Sequence, residues 1–160
     1  MDIRILPAYG YKTEIAALFK EYTDMLIENE PRFKEYLDIQ SYDEEIKHLE
    51  HKYGEPDGRL YIVFCDGSPA GCIGLRRLDD LNCEMKRLYV RPAYRGRGIA
   101  KKLVELIIRD AKATGYKAML LDTLPFLTAA VSLYKNIGFY VIPCYNDSPL
   151  DSTVFMRLDL

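Results

Sequence analysis

A short loop rich in glycine and arginine, set between two apolar runs, is the feature that most constrains this chain. Arg95-Gly96-Arg97-Gly98-Ile99-Ala100 follows a strand-like run, Met85 to Val90, and opens a helix-like run that ends at Thr114. Glycines let the backbone approach a ligand closely, and the first amides of a helix have no partner within it. The arginines add charge that suits a pyrophosphate. The segment therefore predicts a phosphate site on a strand, loop and helix.

Three common phosphate-binding classes do not fit this loop. A P-loop needs lysine and then serine or threonine after its last glycine, but Ile99 and Ala100 follow Gly98. A dinucleotide loop would have a third glycine where Lys101 stands. An RNA-coating arginine and glycine segment would be long, repetitive and disordered. Nucleoside triphosphates, dinucleotides and nucleic acid are therefore not the expected ligands.

Two linked motifs point to a family. The first runs Val90-x-Pro92-x-x-Arg95-Gly96-x-Gly98-Ile99-Ala100-x-x-Leu103, and the second runs Ala130-Val131-x-Leu133-Tyr134-x-x-x-Gly138-Phe139. In this order and at this spacing they resemble the acetyl-CoA signature and the Ala-Ile-x-Leu-Tyr-x-x-x-Gly-Phe motif of the GCN5-related N-acetyltransferases (GNAT). The resemblance is close over about residues 60 to 142 and elsewhere rests on the order of elements.

The length and periodicity of the chain predict one domain over residues 1–160. No apolar run approaches the roughly 18 residues of a membrane helix, and no signal-peptide stretch follows the charged start. We expect a cytoplasmic protein with no membrane partner. The predicted elements are a strand at 3–6, a helix from Ile15 that ends before Pro31, a helix from a Ser41 and Glu44 capping box to about Tyr53, strands at 60–65, 70–78 and 83–90, a helix at 99–114, a strand at 118–122, a helix at 128–137, and strands at 139–145 and 153–158.

This order of elements is a mixed α/β (α+β) pattern. It resembles the single-domain acyl-CoA N-acyltransferase fold, a mixed and mostly antiparallel sheet flanked by helices. In that fold the strand before the loop and the strand after the loop helix splay apart to admit the cofactor. The resemblance thus implies a gap between two central strands, which periodicity alone does not show.

The resemblance also implies acetyl-CoA as co-substrate, with no metal. Its pyrophosphate is expected on the backbone from Arg95 to Ala100 (Arg95, Gly96, Arg97, Gly98, Ile99 and Ala100) and its pantetheine arm along Leu88, Tyr89 and Val90. Many family members have an asparagine where this chain has Leu127. We therefore expect Thr128, or backbone, to supply that contact.

The catalytic roles have alternatives. Tyr134 matches the family tyrosine that protonates the coenzyme thiolate, and its other interpretation is a core aromatic on an amphipathic helix. A lysine-like acceptor amine, with a pKa of about 10.4, must first lose a proton. Glu84 is the expected base, or else a solvated acid at the strand end paired with Lys86. Asp122 is a weaker candidate for base or substrate contact.

The expected function is transfer of an acetyl group from acetyl-CoA to a primary amine by direct attack. A catalytically silent acyl-CoA-binding module and an acetyltransferase for protein or peptide amines are the alternatives. An enclosed acidic pocket would indicate a polyamine-like or amino-sugar acceptor, and an open groove would indicate a peptide. Residues 1–60 hold 14 acidic against 8 basic side chains, and the rest hold 10 against 14, so the phosphate loop lies in the basic part. A monomer and a homodimer are both compatible with the sequence.

Cysteine and histidine do not predict a metal site. The four cysteines, with no Cys-x-x-Cys pair and no nearby histidine, are expected to be reduced packing residues: Cys65, Cys72, Cys83 and Cys144. His48 and His51 lie three apart on a polar helix near Glu44 and Glu50. Since no third ligand is indicated elsewhere, we interpret them as a solvated helix face.

Overall fold

One seven-stranded sheet organises the chain, and this computed structural model describes all 160 residues. The strands follow the order β1-β2-β3-β4-β5-β7-β6, and every neighbouring pair is antiparallel except β4 with β5. The predicted mixed, mostly antiparallel sheet is therefore confirmed. Its strands are β1 (Ile3–Pro7), β2 (Arg59–Cys65), β3 (Ser68–Arg77), β4 (Asn82–Val90), β5 (Ala118–Thr123), β6 (Tyr140–Ile142) and β7 (Val154–Asp159).

Helices cover both faces of the sheet. The helices are α1 (Lys12–Asn29), α2 (Phe33–Ile39), α3 (Tyr42–Lys47), α4 (Leu49–Tyr53), α5 (Ile99–Thr114) and α6 (Thr128–Ile137). The apolar side of α5 packs against the sheet in a core of 19 buried residues, while α1 and α4 pack on the other face. The bounds of α5 are those predicted, because Gly98 and Gly115 take left-handed φ angles of 75° and 104° at its two ends.

The sequence prediction is wrong between residues 30 and 53. Helix α2 was not predicted, and the single helix expected from Ser41 to Tyr53 is divided at His48. Ser41 has left-handed dihedral angles (φ 56°, ψ 48°) and its side chain makes no capping hydrogen bond. A capping box needs an extended N-cap residue, so the Ser41 and Glu44 motif does not form here.

Strands β4 and β5 splay apart, as the fold resemblance implied. They pair over three positions only, the last joining Glu84 to Leu120. A β-bulge then follows in β4: Gly74 pairs with Lys86 and Cys72 pairs with Tyr89, so Ile73 opposes both intervening residues. Bulges bend a strand and redirect its side chains, and this one accompanies the opening of the gap.

Three of the four cysteines are buried, but Cys144 is exposed, so its predicted packing role is wrong. Cys144 follows the short strand β6, where the sequence predicted a strand reaching 145. The backbone has left the sheet by this point. No helix in the chain combines the length and the apolar character needed to cross a bilayer.

Candidate active site

A groove of about 540 Å³ opens between β4, the start of α5 and α6. We call it the cofactor groove. Its walls include nine of the ten residues predicted to bind the cofactor: Leu88, Tyr89, Val90, Arg95, Gly96, Gly98, Ile99, Ala100 and Thr128. Arg97 does not line it, and its guanidinium lies 3.1 Å from the sulfur of Met1. The groove also contains Tyr22, Tyr94 and Phe126, for which the sequence predicted no cofactor contact.

The start of α5 is a row of unpaired amides. No backbone amide from Gly96 to Lys101 donates a hydrogen bond within the chain, and the first that does is Lys102, to the Gly98 carbonyl at 3.2 Å. Gly96 and Gly98 have φ angles of 78° and 75°, and open space lies where each would carry a Cβ. Free amides, a helix dipole and room for close approach together fit a pyrophosphate.

Arg95 fastens this loop to β4. Its Nε donates to the Val90 carbonyl at 2.8 Å, and its guanidinium lies over the Tyr89 ring, 5.8 Å from the centroid. The arginine therefore holds the loop against the strand that forms the groove wall. Its charge also lies beside the free amides.

A smaller cavity of about 30 Å³ continues into the gap between β4 and β5. We call it the inner cavity. It shares four wall residues with the cofactor groove: Tyr22, Leu88, Leu127 and Tyr134. Its polar walls come from α2, β4 and β5 and include Tyr36, Lys86, Arg87 and Asp122. The groove and the inner cavity therefore meet beside the predicted catalytic tyrosine.

Tyr134 is 5% exposed, and its ring packs against Phe139 with centroids 5.7 Å apart. Burial raises the pKa of Tyr134, with the charges of Tyr22 and Asp122 adding to the effect, and no hydrogen bond to its hydroxyl contributes. The side chain is thus both a core aromatic and a protonated hydroxyl at a cavity junction. The two interpretations from the sequence are compatible.

Glu84 lies at the point where β4 and β5 part, and it lines neither cavity. Its carboxylate accepts from Arg76 Nε at 2.7 Å and from the Tyr145 hydroxyl at 2.5 Å. Burial alone would raise its pKa, but Lys86, Arg76 and the Tyr145 hydrogen bond outweigh burial and hold the pKa below its ordinary value. The carboxylate is buried and paired, so the solvated alternative is wrong. The predicted ion pair of Glu84 with Lys86 is nevertheless present, with 3.6 Å between Lys86 Nζ and a carboxylate oxygen.

Asp122, in contrast, lines the inner cavity. It accepts hydrogen bonds from the Tyr36 hydroxyl and from Asn146 Nδ2, the latter at 2.8 Å. Asn146 also donates to the Tyr36 oxygen at 2.8 Å. These bonds tie α2 to the segment after β6 across the cavity wall. Because Asn146 and Tyr36 are 110 residues apart, no local sequence signal links them.

A buried ion cluster supports the β4 wall. Arg87 donates through Nε and Nη2 to the two oxygens of Glu45, at 2.8 and 3.0 Å, and through Nη2 to Gln40 at 2.7 Å. Lys52 and the Tyr53 hydroxyl also bind Glu45, at 2.6 and 2.8 Å. Although burial would raise the pKa of Glu45, Arg87 and Lys52 hold it well below its usual range. No pattern in the sequence predicted this cluster.

The histidine group lies elsewhere. Donor atoms of His48, Glu50 and His51 come within 4.8 Å of one another, and all three side chains are exposed at the junction of α3 and α4. None of them lines the cofactor groove or the inner cavity. The group is separate from the candidate active site.

Comparison with known proteins agrees with this geometry. The sequence profile of the acetyltransferase (GNAT) family matches residues 16–139. A protein of Dictyostelium discoideum named as an uncharacterised N-acetyltransferase is 32% identical, with all of both chains covered. A GNAT-family acetyltransferase of Staphylococcus aureus superposes with a TM-score of 0.78 at 26% identity, over 99% of each chain. The PaiA N-acetyltransferase of Thermoplasma acidophilum, solved with coenzyme A, has the same fold, with a TM-score of 0.73 at 20% identity over all of both chains. This chain belongs to the GNAT family and is an acetyl-CoA-dependent N-acetyltransferase.

Proposed function

We propose that the enzyme transfers the acetyl group from acetyl-CoA to a primary amine by direct attack, without a covalent acetyl-enzyme. The observation that carries the proposal is the meeting of the cofactor groove and the inner cavity at Tyr134. An amine in the inner cavity would face a thioester in the groove beside this hydroxyl. No cysteine lines either space, which supports direct attack.

The free amides from Gly96 to Lys101 are proposed to hold the pyrophosphate of the cofactor. The edge of β4 at Leu88, Tyr89 and Val90 would carry the pantetheine arm, since β5 has left this part of the strand. Thr128 lines the groove beside Leu127, the position of the family asparagine. It is our candidate for the missing polar contact.

Tyr134 is proposed to protonate the leaving thiolate. Its raised pKa keeps the hydroxyl protonated at neutral pH. The same burial would raise the pKa of a thiolate beside it, because both anions lose water. Since a raised pKa also makes the hydroxyl a weaker acid, the transfer requires a direct hydrogen bond from Tyr134 to the thiolate.

The amine must lose its proton to a base, and two carboxylates compete for this role. Glu84, the base expected from the sequence, would act through the Tyr145 hydroxyl or through water, since it lines neither cavity. Asp122 is the second candidate, favoured because it lines the inner cavity. Both hydrogen-bond partners of Asp122 are neutral, namely the Tyr36 hydroxyl and the Asn146 amide, so Asp122 has no cationic partner.

The test of the reaction is thiol release from acetyl-CoA with a broad panel of primary amines. Tyr134→Phe should lower kcat by about 10²- to 10⁴-fold, the range for a general acid, with the Kd for coenzyme A nearly unchanged. Tyr140→Phe, on the exposed strand β6, is the matched control and should behave as the wild type. Unchanged kcat in Tyr134→Phe would refute the acid assignment.

The base is identified by comparing Glu84→Gln with Asp122→Asn. The residue whose substitution alone lowers kcat is the base. The pH profile of that variant should also lose the ionisation on its acidic limb. Loss in neither variant refutes both assignments. Tight coenzyme A binding by calorimetry with no turnover for any amine, peptides included, would instead favour the silent binding module.

A further inference from the structure

The β-bulge in β4 turns two consecutive cations toward the same space. Met85 and Leu88 both pack in the core beneath α5, which leaves Lys86 and Arg87, the residues between them, for the opposite face. Arg87 has a left-handed φ of 59°, a conformation that non-glycine residues rarely adopt. Both cations line the inner cavity, together with Met85 and Leu88. In a regular strand the two side chains would point to opposite faces of the sheet.

The Lys86 side chain makes no hydrogen bond, and its ammonium nitrogen keeps some accessible surface, because no fully buried polar side-chain atom in the protein lacks a partner. Its side chain is 6% exposed, and its nearest carboxylate oxygen, on Glu84, is 3.6 Å away. Glu84 already accepts short bonds from Arg76 and Tyr145. Because a mostly buried ammonium group is stabilised by hydrogen-bond acceptors, the accessible part of the Lys86 ammonium group suits an acceptor atom of a ligand.

The charge around this wall is also unbalanced. Four cations share two buried carboxylates: Arg87 and Lys52 pair with Glu45, and Arg76 and Lys86 pair with Glu84. Neither carboxylate lines the inner cavity, whose only acidic wall residue is Asp122. An acceptor with a second ammonium group against the β4 wall would be repelled.

We propose that Lys86, supported by Arg87, binds a carboxylate of the acceptor, so that the acceptor is a small amino acid rather than a polyamine, an amino sugar or a protein. The amine would lie toward Asp122 and Tyr134, and the carboxylate toward Lys86. Asn146 ties together two wall residues, Tyr36 and Asp122, and the inner cavity measures only about 30 Å³, which favours a small acceptor over an extended peptide. This proposal rests on the proposed N-acetylation and names its substrate class.

The test compares each of the twenty L-amino acids with its carboxamide as acceptor, beside spermidine, glucosamine and a decapeptide with an internal lysine. We expect at least one free acid to exceed its amide by about tenfold to a hundredfold in kcat/KM, the ratio of a charge-assisted hydrogen bond. Lys86→Met should remove this ratio by raising KM for the acid, while KM for acetyl-CoA stays constant. Lys86→Arg should retain part of the ratio.

Lys112→Met, which changes an exposed lysine in the last turn of α5, is the control and should keep the wild-type ratio. Equal rates for acids and amides, a ratio that survives in Lys86→Met, or a peptide faster than every free amino acid would overturn the proposal. Acetylation of other amines alone would refute this acceptor class and leave N-acetylation intact, whereas no thiol release with any amine would refute the proposed function.

A binding measurement keeps the proposal testable without turnover. With coenzyme A at saturation, N-acetyl amino acids should raise the melting temperature of the wild type more than their amides do. For Lys86→Met, the acids and the amides should raise the melting temperature equally. Equal stabilisation of the wild type by acid and amide would count against the carboxylate site. A Lys86→Met protein that fails to fold is replaced by Lys86→Gln, read in the same way.

Discussion

Glu45→Gln should destabilise this enzyme more than a typical substitution, because it removes the counter-charge of a buried arginine. The Arg87 side chain is 3% exposed, and its two bonds to Glu45 measure 2.8 and 3.0 Å. Glutamine retains one acceptor oxygen but presents an NH₂ group to the second donor. Breaking a buried ion pair from one side costs about 3–5 kcal/mol, against a typical total stability of about 5–15 kcal/mol.

The assay is thermal and urea unfolding at pH 7, with Glu44→Gln as the matched control. At about 2–4 °C per kcal/mol for a chain of this size, the melting temperature of Glu45→Gln should fall by roughly 6–20 °C. Glu44 is exposed and lies 3.9 Å from Lys47, so its substitution should change stability by less than about 1 kcal/mol. A loss below about 1 kcal/mol in Glu45→Gln would refute the reasoning.

The pH dependence gives a second check on the same residue. The pKa of Glu45 is lower in the folded protein than in the unfolded chain, so its contribution is fully present above the unfolded pKa of about 4.3. It is lost as pH falls below that value toward the folded pKa. The stability difference between wild type and Glu45→Gln should therefore shrink as the pH is lowered from 5 toward 3. A difference that stayed constant over this range would contradict the assignment.

Three further predictions concern the cofactor loop, the thiols and the inner cavity. Gly98→Ala should raise KM for acetyl-CoA about tenfold in steady-state kinetics, whereas Gly67→Ala, which imposes a similar left-handed strain in a hairpin turn, should lower only the melting temperature. With Ellman's reagent, only Cys144 should react quickly in the native protein, because the other thiols are buried and burial raises the pKa of Cys83 to about 12; a second fast thiol would contradict this. Asn146→Ala should raise KM for the acceptor and leave KM for acetyl-CoA unchanged, and the opposite pattern would show that its bonds serve the cofactor groove.

Local patterns predicted those parts of the fold that local geometry decides. Gly98 and Gly115 bound α5 because left-handed residues end helices, and that rule can be read directly from the chain. Ser41 shows where such rules fail. Its sequence suits a capping box, yet the backbone there is left-handed, and neighbouring Glu45 is drawn into the ion cluster with Arg87. Tertiary contacts overrode the local preference.

The charge pattern of β4 also gave a wrong prediction, because it indicated solvent exposure. An alternating run with Glu84, Lys86 and Arg87 looks like the solvated end of a strand, but Glu84 and Lys86 are 2% and 8% exposed. The hydrogen-bond partners of Glu84, Arg76 and Tyr145, lie 8 and 61 residues away. The bulge that places Lys86 and Arg87 on one face has no signature in the sequence.

The sequence by itself determined the backbone geometry of the proposed cofactor site. Leu88 to Lys101 form one continuous strand, loop and helix, so their free amides and close-approach glycines follow from local backbone geometry. Only the tertiary structure decided the proposed acceptor site, because its walls come from α1, α2, β4 and β5 and the segment after β6 is bonded to Asp122 in one of them. Contacts between such distant segments depend on packing and register, which no local pattern encodes.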